Sequence, residues 1–297
     1  MNVHLPGNIR ILRTLRRLRG RMRPGIAILG YHRVADPARD PMDLSTSAAH
    51  FEAHLEAAAR LGETLRLDEA AAAIAAGRVP KRGIVFTFDD GYSDNLHTVL
   101  PLLERHRIAA TMFVTSGNRG GEFWWDRLAR IVAVNGRPGR AGEMAEELEF
   151  LPAEERTARL DELARDRGIG AEPVYRTLTV EELKRLGASP WIEIGAHTES
   201  HRRLPELPED TQRDEVRRSR TSLEALLGRP VTSFAYPHGA ISARTVEIVA
   251  AAGYEVACCS RSEVAANGAR LRALPRLWPG NRSGPQFERW LRSWLHG

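Results

Sequence analysis

Residues 84–91 read Ile-Val-Phe-Thr-Phe-Asp-Asp-Gly, an apolar run that ends in two carboxylates and a glycine. The apolar and β-branched residues Ile84–Phe88 predict a short buried strand. Asp-Gly alone is typical of a hairpin turn, and a hairpin needs a second strand. The next apolar residues instead recur at helical spacing, at Leu96, Val99, Leu100 and Leu103. The stretch therefore predicts a strand that turns directly into a helix.

The same alternation of short apolar runs and helical patterns continues along the chain from residue 25. Strands are predicted at Ile26–Tyr31, Ile84–Phe88, Ala110–Thr115, Trp191–Ala196, Val231–Ala235, Tyr254–Cys258 and Leu271–Leu277. No glycine-rich phosphate loop follows the first strand, which argues against an open doubly wound sheet. We predict an α/β fold, a distorted (β/α) barrel of about seven strands related to the TIM barrel. Residues 25–297 would form this domain, with a helical insertion at about 117–176.

The first part of the chain is unusually basic. Residues 1–35 contain eight arginines and no acidic residue, and a helix over residues 1–24 would carry one apolar stripe and an arginine-rich face. Such a helix could contact the inner membrane surface or pack its stripe on the domain. No stretch of 18 apolar residues and no secretory signal core is present, so we expect a cytoplasmic protein, or one peripheral at the inner membrane face. No nucleic-acid partner is expected.

Two pairs of residues in the sequence suggest a metal site. Asp89 and Asp90 follow a strand, and two adjacent buried carboxylates repel each other unless a cation or a raised pKa relieves them. One of them can bind a metal while the other stays free as a base. His197 and His201 follow another predicted strand and lie four residues apart. Three nitrogen or oxygen ligands with an open position for water is the arrangement of a catalytic zinc site.

Thr-Phe-Asp-Asp-Gly and His-Thr-x-x-His, about a hundred residues apart, resemble the first two motifs of the polysaccharide deacetylase (NodB-homology) family. The resemblance covers roughly residues 25–280. It implies a distorted barrel with its site at the carboxyl ends of the strands. It also implies that Asp89 is the catalytic base and that Asp90, His197 and His201 bind one divalent metal ion. Zinc is the first candidate for the ion, with cobalt, nickel and manganese as alternatives, and the implied substrate is an N-acetylated saccharide.

The third family motif has its counterpart in residues 234–239, Phe-Ala-Tyr-Pro-His-Gly. Here Tyr236, Pro237 and His238 are expected to contact the oxyanion or the substrate, with the backbone N–H of His238 as a donor. The family's arginine is missing from this motif, because Ala235 stands near its place. Arg276, at the end of the last predicted strand, could replace it and hold a catalytic aspartate ionised.

The last family motif, a Leu-x-His near the C-terminus, is absent. Tyr31-His32-Arg33 instead follows the first predicted strand, and it resembles the branch of the family whose motifs are circularly permuted. By this resemblance His32 is the general acid, and His238 is the rival.

A double tryptophan lies at the start of the insertion, in Trp124-Trp125-Asp126. Trp125 could stack on a sugar, although core packing is the alternative for one of the two indoles. Asp126 could be the N-cap of the next helix. The sequence thus predicts a metal-dependent enzyme that removes acetyl groups from an N-acetylhexosamine-containing saccharide. The alternatives are an amidohydrolase of the same fold that acts on a non-carbohydrate amide or a cyclic imide, and a non-catalytic glycan-binding relative.

Overall fold

The computed structural model describes residues 25–295 apart from 38–39, 41, 134–143, 146, 149–150, 152 and 166–172. The helix predicted over residues 1–24 lies outside the described residues, as does part of the predicted insertion. Among the described residues, no helix is both long and apolar enough to cross a bilayer.

The described strands are mainly those of one parallel sheet. They are β1 (Ile26–Tyr31), β2 (Arg33–Val34), β3 (Ser45–Thr46), β4 (Glu63–Thr64), β5 (Gly83–Phe88), β6 (Ala110–Val114), β7 (Ile192–Ala196), β8 (Ser233–Ala235) and β9 (Val256–Cys258). The sheet has the order β1-β5-β6-β7-β8-β9, with β4 paired to β5, while β2 and β3 form a separate pair. All residues of β1 and β5 are buried, which explains their continuous apolar runs.

The sheet curls into a half-barrel, and an irregular segment joins its two edges. Leu274 donates its N–H to Ala257 of β9 at 2.8 Å, and Leu277 donates to Ile28 of β1 at 2.7 Å. The strand predicted over Leu271–Leu277 is therefore wrong, since the chain makes a 3₁₀ turn at Leu271–Ala273 and then contacts both edges through isolated bridges. Pro275 has no N–H to donate, so a regular ladder cannot form here. The barrel-like architecture itself agrees with the prediction.

The helices are α1 (Ala48–Leu61), α2 (Leu67–Ala75), α3 (Leu100–His106), α4 (Trp124–Ala133), α5 (Ala153–Arg165), α6 (Val180–Gly187), α7 (Glu209–Leu227), α8 (Ala243–Ala251) and α9 (Gly284–Leu295). A π-helical turn at Asn95–Val99 precedes α3 directly. Thr179 and Glu182 form a capping box at the start of α6. Gly228 ends α7 in the left-handed conformation, with φ 67°.

The described residues form three hydrophobic clusters, two of which lie against the sheet, one on each face, while the third packs α4 against α5. Between the sheet and the outer helices lies the larger cluster, which includes Leu29, Phe86 and Phe234. Inside the curl lies a smaller cluster, in which Ile28 and Val85 share an apolar core with residues of α2. Because successive strand residues point to opposite faces, this packing fixes which side chains reach the interior where the strands end.

Candidate metal centre

The two aspartates lie where β5 ends, at the carboxyl edge of the sheet. The N–H of Asp89 bonds to the carbonyl of Tyr31 at 2.9 Å, which extends the β1–β5 pairing by one residue. Asp90 has a φ of 72° and Gly91 a φ of 79°, so the chain turns sharply at the strand end. A Cβ on Gly91 would lie 3.1 Å from Val114 Cγ1, and both the turn and the close approach favour glycine. This turn sends the two carboxylates to different partners.

His197 and His201 follow β7, the second neighbour of β5 in the sheet. His197 Nδ1 donates to the carbonyl of Ala235 at 2.8 Å, which leaves Nε2 unprotonated in the neutral ring. A hydrogen bond of this kind commonly orients a metal-binding histidine. Thr198 and His201 have φ values of 61° and 60°, and Thr198 Oγ1 accepts the N–H of His201 at 2.9 Å. The tight loop brings both imidazoles to one side.

Asp90, His197 and His201 converge on one point. Asp90 Oδ1 lies 3.3 Å from His201 Nε2 and 3.6 Å from His197 Nε2. One ligand atom from each of the three residues lies within 4.8 Å of the others. Asp90 Oδ1 is buried and has no hydrogen-bond partner among the described residues. A buried anionic oxygen that faces two imidazole nitrogens fits a cation, so the three side chains could hold a metal ion.

The electrostatics of the cluster suit a metal. Burial acts to raise the pKa of Asp90, but the neighbouring His201, His32 and His197 hold that pKa well below its usual range. Burial lowers the pKa of His197 to about 4. Asp90 is therefore an anion and His197 is neutral near pH 7, which are the protonation states that metal binding needs.

Asp89 has a different partner. Arg276 Nη1 and Nη2 donate to Asp89 Oδ1 and Oδ2 at 2.7 and 2.6 Å, a two-point charge-assisted pair. Arg276 comes from the irregular segment that joins the sheet edges, and its Nη1 also donates to Thr87 at 3.2 Å. Burial acts to raise the pKa of Asp89, but its neighbours, with Arg276 first among them, outweigh burial and the pKa is lowered. Asp89 is thus a buried carboxylate that stays ionised.

His32 faces the second carboxylate oxygen of Asp90. Its Nε2 is 3.9 Å from Asp90 Oδ2, and its ring lies edge-on to Trp278 with centroids 4.4 Å apart. Asn95 Nδ2 donates to the carbonyl of His32 at 3.1 Å and so fixes its backbone. Burial lowers the pKa of His32, and the charges of Asp90 and Asp89 oppose that shift. The structure therefore brings His32 to the cluster.

The residues of the third motif do not all reach the site. His238 lines the cavity, and its ring centroid is 4.9 Å from that of His201. Burial is the largest cause that lowers the pKa of His238, to about 3. The hydroxyl of Tyr236 instead donates to the carbonyl of Arg272 at 2.9 Å, and neither Tyr236 nor Pro237 lines the cavity. The structure does not bring those two side chains to the site.

The cluster lies in a cavity of about 510 Å³. Trp125 forms part of its wall. The centroid of its indole lies 4.4 Å from that of the His201 ring, and the indole stacks on Phe123 with centroids 4.1 Å apart. Asp126 is not the N-cap of α4, because it lies within the first turn of that helix. Its carboxylate accepts from Arg33 Nη1 at 2.9 Å and from the Tyr92 hydroxyl at 2.6 Å. This buried group anchors the helix that carries Trp125.

Glu215 supports the site, although no motif in the sequence predicts this role. From α7 its Oε2 accepts the backbone N–H groups of Glu199 and Ser200 at 3.0 and 2.9 Å. Ser219 Oγ, one turn further along the same helix, donates to the carbonyl of Thr198 at 3.0 Å. Helix α7 therefore holds the loop between the two histidines at three points. The local sign of this role is that Glu215 lies on the buried face of α7, whereas most charged residues of that helix lie on its exposed face.

Several known proteins resemble this chain in sequence or in fold. YxkH of Bacillus subtilis (strain 168), whose name assigns it to the polysaccharide deacetylases, is 22% identical over 254 residues, which cover 85% of this chain and 70% of that protein. The structure of IcaB from Ammonifex degensii has a TM-score of 0.66 at 21% identity and covers 91% of this chain and 97% of its own. The deacetylase PplD of Streptococcus pyogenes, solved in complex with acetate, has a TM-score of 0.64 at 19% identity and covers 90% and 98%. The family described as polysaccharide deacetylase matches residues 76–257, more than half of the chain, and this chain therefore belongs to the polysaccharide deacetylases, a family of carbohydrate deacetylases.

Proposed function

We propose that this chain is a metal-dependent hydrolase that removes the acetyl group from an N-acetylhexosamine unit of a saccharide and releases acetate. The observation that carries the proposal is the convergence of Asp90, His197 and His201 beside the ionised Asp89. Asp90 and the two imidazoles would hold the ion, and a donor set of two nitrogens and one oxygen favours zinc, with cobalt, nickel and manganese as alternatives. When bound, the ion would acidify a water and polarise the acetamide carbonyl.

The remaining residues would move protons. Asp89 accepts a proton from the attacking water, because its pair with Arg276 keeps it ionised. The backbone N–H of His238 is the candidate donor to the oxyanion. His32 delivers a proton to the departing amine, which is a poor leaving group without one. Since burial lowers the pKa of His32, its ring is neutral at rest and takes up from solvent the proton that it then delivers to the amine.

The metal assignment is tested by metal content together with acetate release. Purified chain, loaded with zinc, should bind one ion and release acetate from N-acetylglucosamine oligomers. Asp90→Asn should lose the ion and the activity, because it removes the anionic ligand. Asp68→Asn is the matched control, since that carboxylate is exposed on α2. Retention of the ion by Asp90→Asn would contradict the ligand assignment, and metal-loaded chain that releases no acetate would contradict the reaction.

The identity of the acid is tested by two alanine variants. His32→Ala should lose acetate release while it keeps the metal, because His32 lies outside the proposed ligand set. His97→Ala serves as the control, as its imidazole is half exposed on the surface. Full activity in His32→Ala together with its loss in His238→Ala would assign the acid to His238 instead.

A further inference from the structure

The cavity mouth has an unusual surface. Among the described residues, the exposed large hydrophobic side chains are Met42 and Trp278, at 48% and 36% exposure. Both line the cavity that contains the candidate metal centre. Exposed apolar side chains that concentrate at one opening are more informative than scattered ones, because they indicate a contact surface.

The side chains around the mouth separate into two arcs. The apolar arc consists of Met42, Leu44, Trp124, Trp125, Ala145 and Trp278. The polar arc consists of Arg203, His238, Gly239, Ser260 and Ser262. The residues of the apolar arc lie after β1, after β6 and in the irregular segment that joins the two sheet edges. Those of the polar arc lie after β7, β8 and β9. In the sheet order the strands before the polar arc are adjacent, whereas β1 and β6 flank β5, whose end carries Asp89 and Asp90.

A buried arginine holds the apolar arc together. Arg33 is fully buried, and it donates to Asp126 at 2.9 Å, on the helix that carries Trp124 and Trp125. It also donates to Asp40 at 3.3 Å. Asp40 in turn accepts the N–H groups of Leu44 and Ser45 at 3.2 and 2.7 Å, which fixes the loop beside Met42. One ion-pair cluster therefore positions two parts of the apolar arc, the loop that carries Met42 and Leu44 and the helix that carries Trp124 and Trp125.

We propose that the substrate of this site carries an alkyl chain, as a lipid-linked or alkyl glycoside would, and that the chain lies on the apolar arc. This inference rests on the proposed function, since an acetamide that reaches Asp90 must place the rest of its molecule in the mouth. The polar arc then faces the hydroxyl groups of the amino sugar.

An alkyl chain fits the apolar arc better than a second sugar does. A sugar presents hydroxyl groups along its edge, and these lose hydrogen bonds to water unless the protein replaces them. Met42, Leu44 and Ala145 have no side-chain donor or strong acceptor. Trp124, Trp125 and Trp278 could stack on either ligand, so the aliphatic members of the arc discriminate between them.

The test compares octyl and methyl glycosides of N-acetylglucosamine, below the concentration at which the octyl compound forms micelles. Each methylene that is fully removed from water strengthens binding about fourfold, so partial cover of the octyl chain should lower KM at least about tenfold. Met42→Gln keeps the length of the side chain but makes its tip polar, and it should reduce this octyl-to-methyl ratio. Ser262→Ala, on the polar arc, should leave the ratio unchanged.

The outcomes separate the inference from the proposed function. Equal KM values for the two glycosides, with acetate released from both, would overturn the alkyl chain and leave the deacetylase standing. If the methyl glycoside of the disaccharide lowers KM as much as the octyl glycoside does, the arc binds a second sugar, and this result would also overturn the inference. If no glycoside releases acetate, the proposed function fails, and tryptophan fluorescence of the unaltered chain during titration with both glycosides then decides the inference. Binding about tenfold tighter for octyl supports it, and equal binding overturns it.

Discussion

Replacement of Arg276 by methionine should strongly destabilise the fold, because it leaves the carboxylate of Asp89 buried without a partner. Asp89 and Arg276 are 4% and 3% exposed, and they share two hydrogen bonds of 2.7 and 2.6 Å. Removal of one member of a buried ion pair typically costs about 3–5 kcal/mol. The free energy of unfolding of Arg276→Met should therefore fall by about that amount, as measured by urea denaturation in the presence of a chelator, so that metal binding does not contribute.

A double-mutant cycle separates this effect from lost packing. Asp89→Asn removes the charge that Arg276 neutralises, so Asp89→Asn combined with Arg276→Met should cost about 1–3 kcal/mol less than the sum of the single changes. Arg217→Met is the control, because Arg217 forms an exposed pair with Asp214 at 3.0 Å and should lose less than about 1 kcal/mol. Additive losses within about 0.5 kcal/mol, or a negligible effect of Arg276→Met, would refute the reasoning.

Three further predictions concern residues that support the fold and the site. Burial lowers the pKa of His54 to about 4, so between pH 6.5 and 4 this imidazole binds a proton in the unfolded chain but not in the folded chain. It should therefore contribute a loss of about 3 kcal/mol of stability over this range, and His54→Gln should remove that contribution from the pH dependence of urea denaturation. An unchanged pH profile would contradict the assignment. Glu215→Ala should weaken metal binding about 10–100-fold in a chelator competition, because the loop before His201 loses its acceptor, and Glu215→Gln should recover part of the loss. Equal affinities in all three forms would mean that the loop needs no such support. Tyr92→Phe leaves one oxygen of Asp126 without its donor and should lower the free energy of unfolding by about 1–3 kcal/mol, and thermal or urea unfolding that matches the unaltered chain would disprove that role.

The strands were predictable where burial is continuous. The bounds of β1 agree with the prediction at both ends, because every residue from Ile26 to Tyr31 is buried and apolar or small. The failure at Leu271–Leu277 has a physical cause, since Pro275 cannot donate to a ladder and the segment instead reaches both sheet edges through single contacts. An apolar run alone does not show how many backbone hydrogen bonds the segment will form with neighbouring strands.

The centre of the site was predictable from local motifs, but its support was not. Asp90, His197 and His201 stand at the ends of strands that the sequence indicates, so their convergence follows from the parallel topology. The pair of Arg33 with Asp126 spans 93 positions, and no local pattern predicts such a contact. The orientation of Tyr236 follows from strand alternation. Ala235 belongs to the cluster inside the curl, so the side chain of Tyr236 points to the other face of the sheet, toward the outer helices.

The backbone of the candidate site has a consequence for how this protein can change over generations. Among the described residues, six non-glycine residues have a positive φ, and four of them are Asp90, Thr198, His201 and His238. A left-handed conformation costs a residue with a Cβ roughly 1–2 kcal/mol, and glycine avoids most of that cost. Asp90→Gly should therefore unfold at higher urea than Asp90→Ala, although both lack the carboxylate, and equal midpoints would rule the strain out. In a gene copy freed from selection for activity, glycine should therefore be the least destabilising replacement at these four positions, and drift toward glycine there is the expected mark of an inactive descendant.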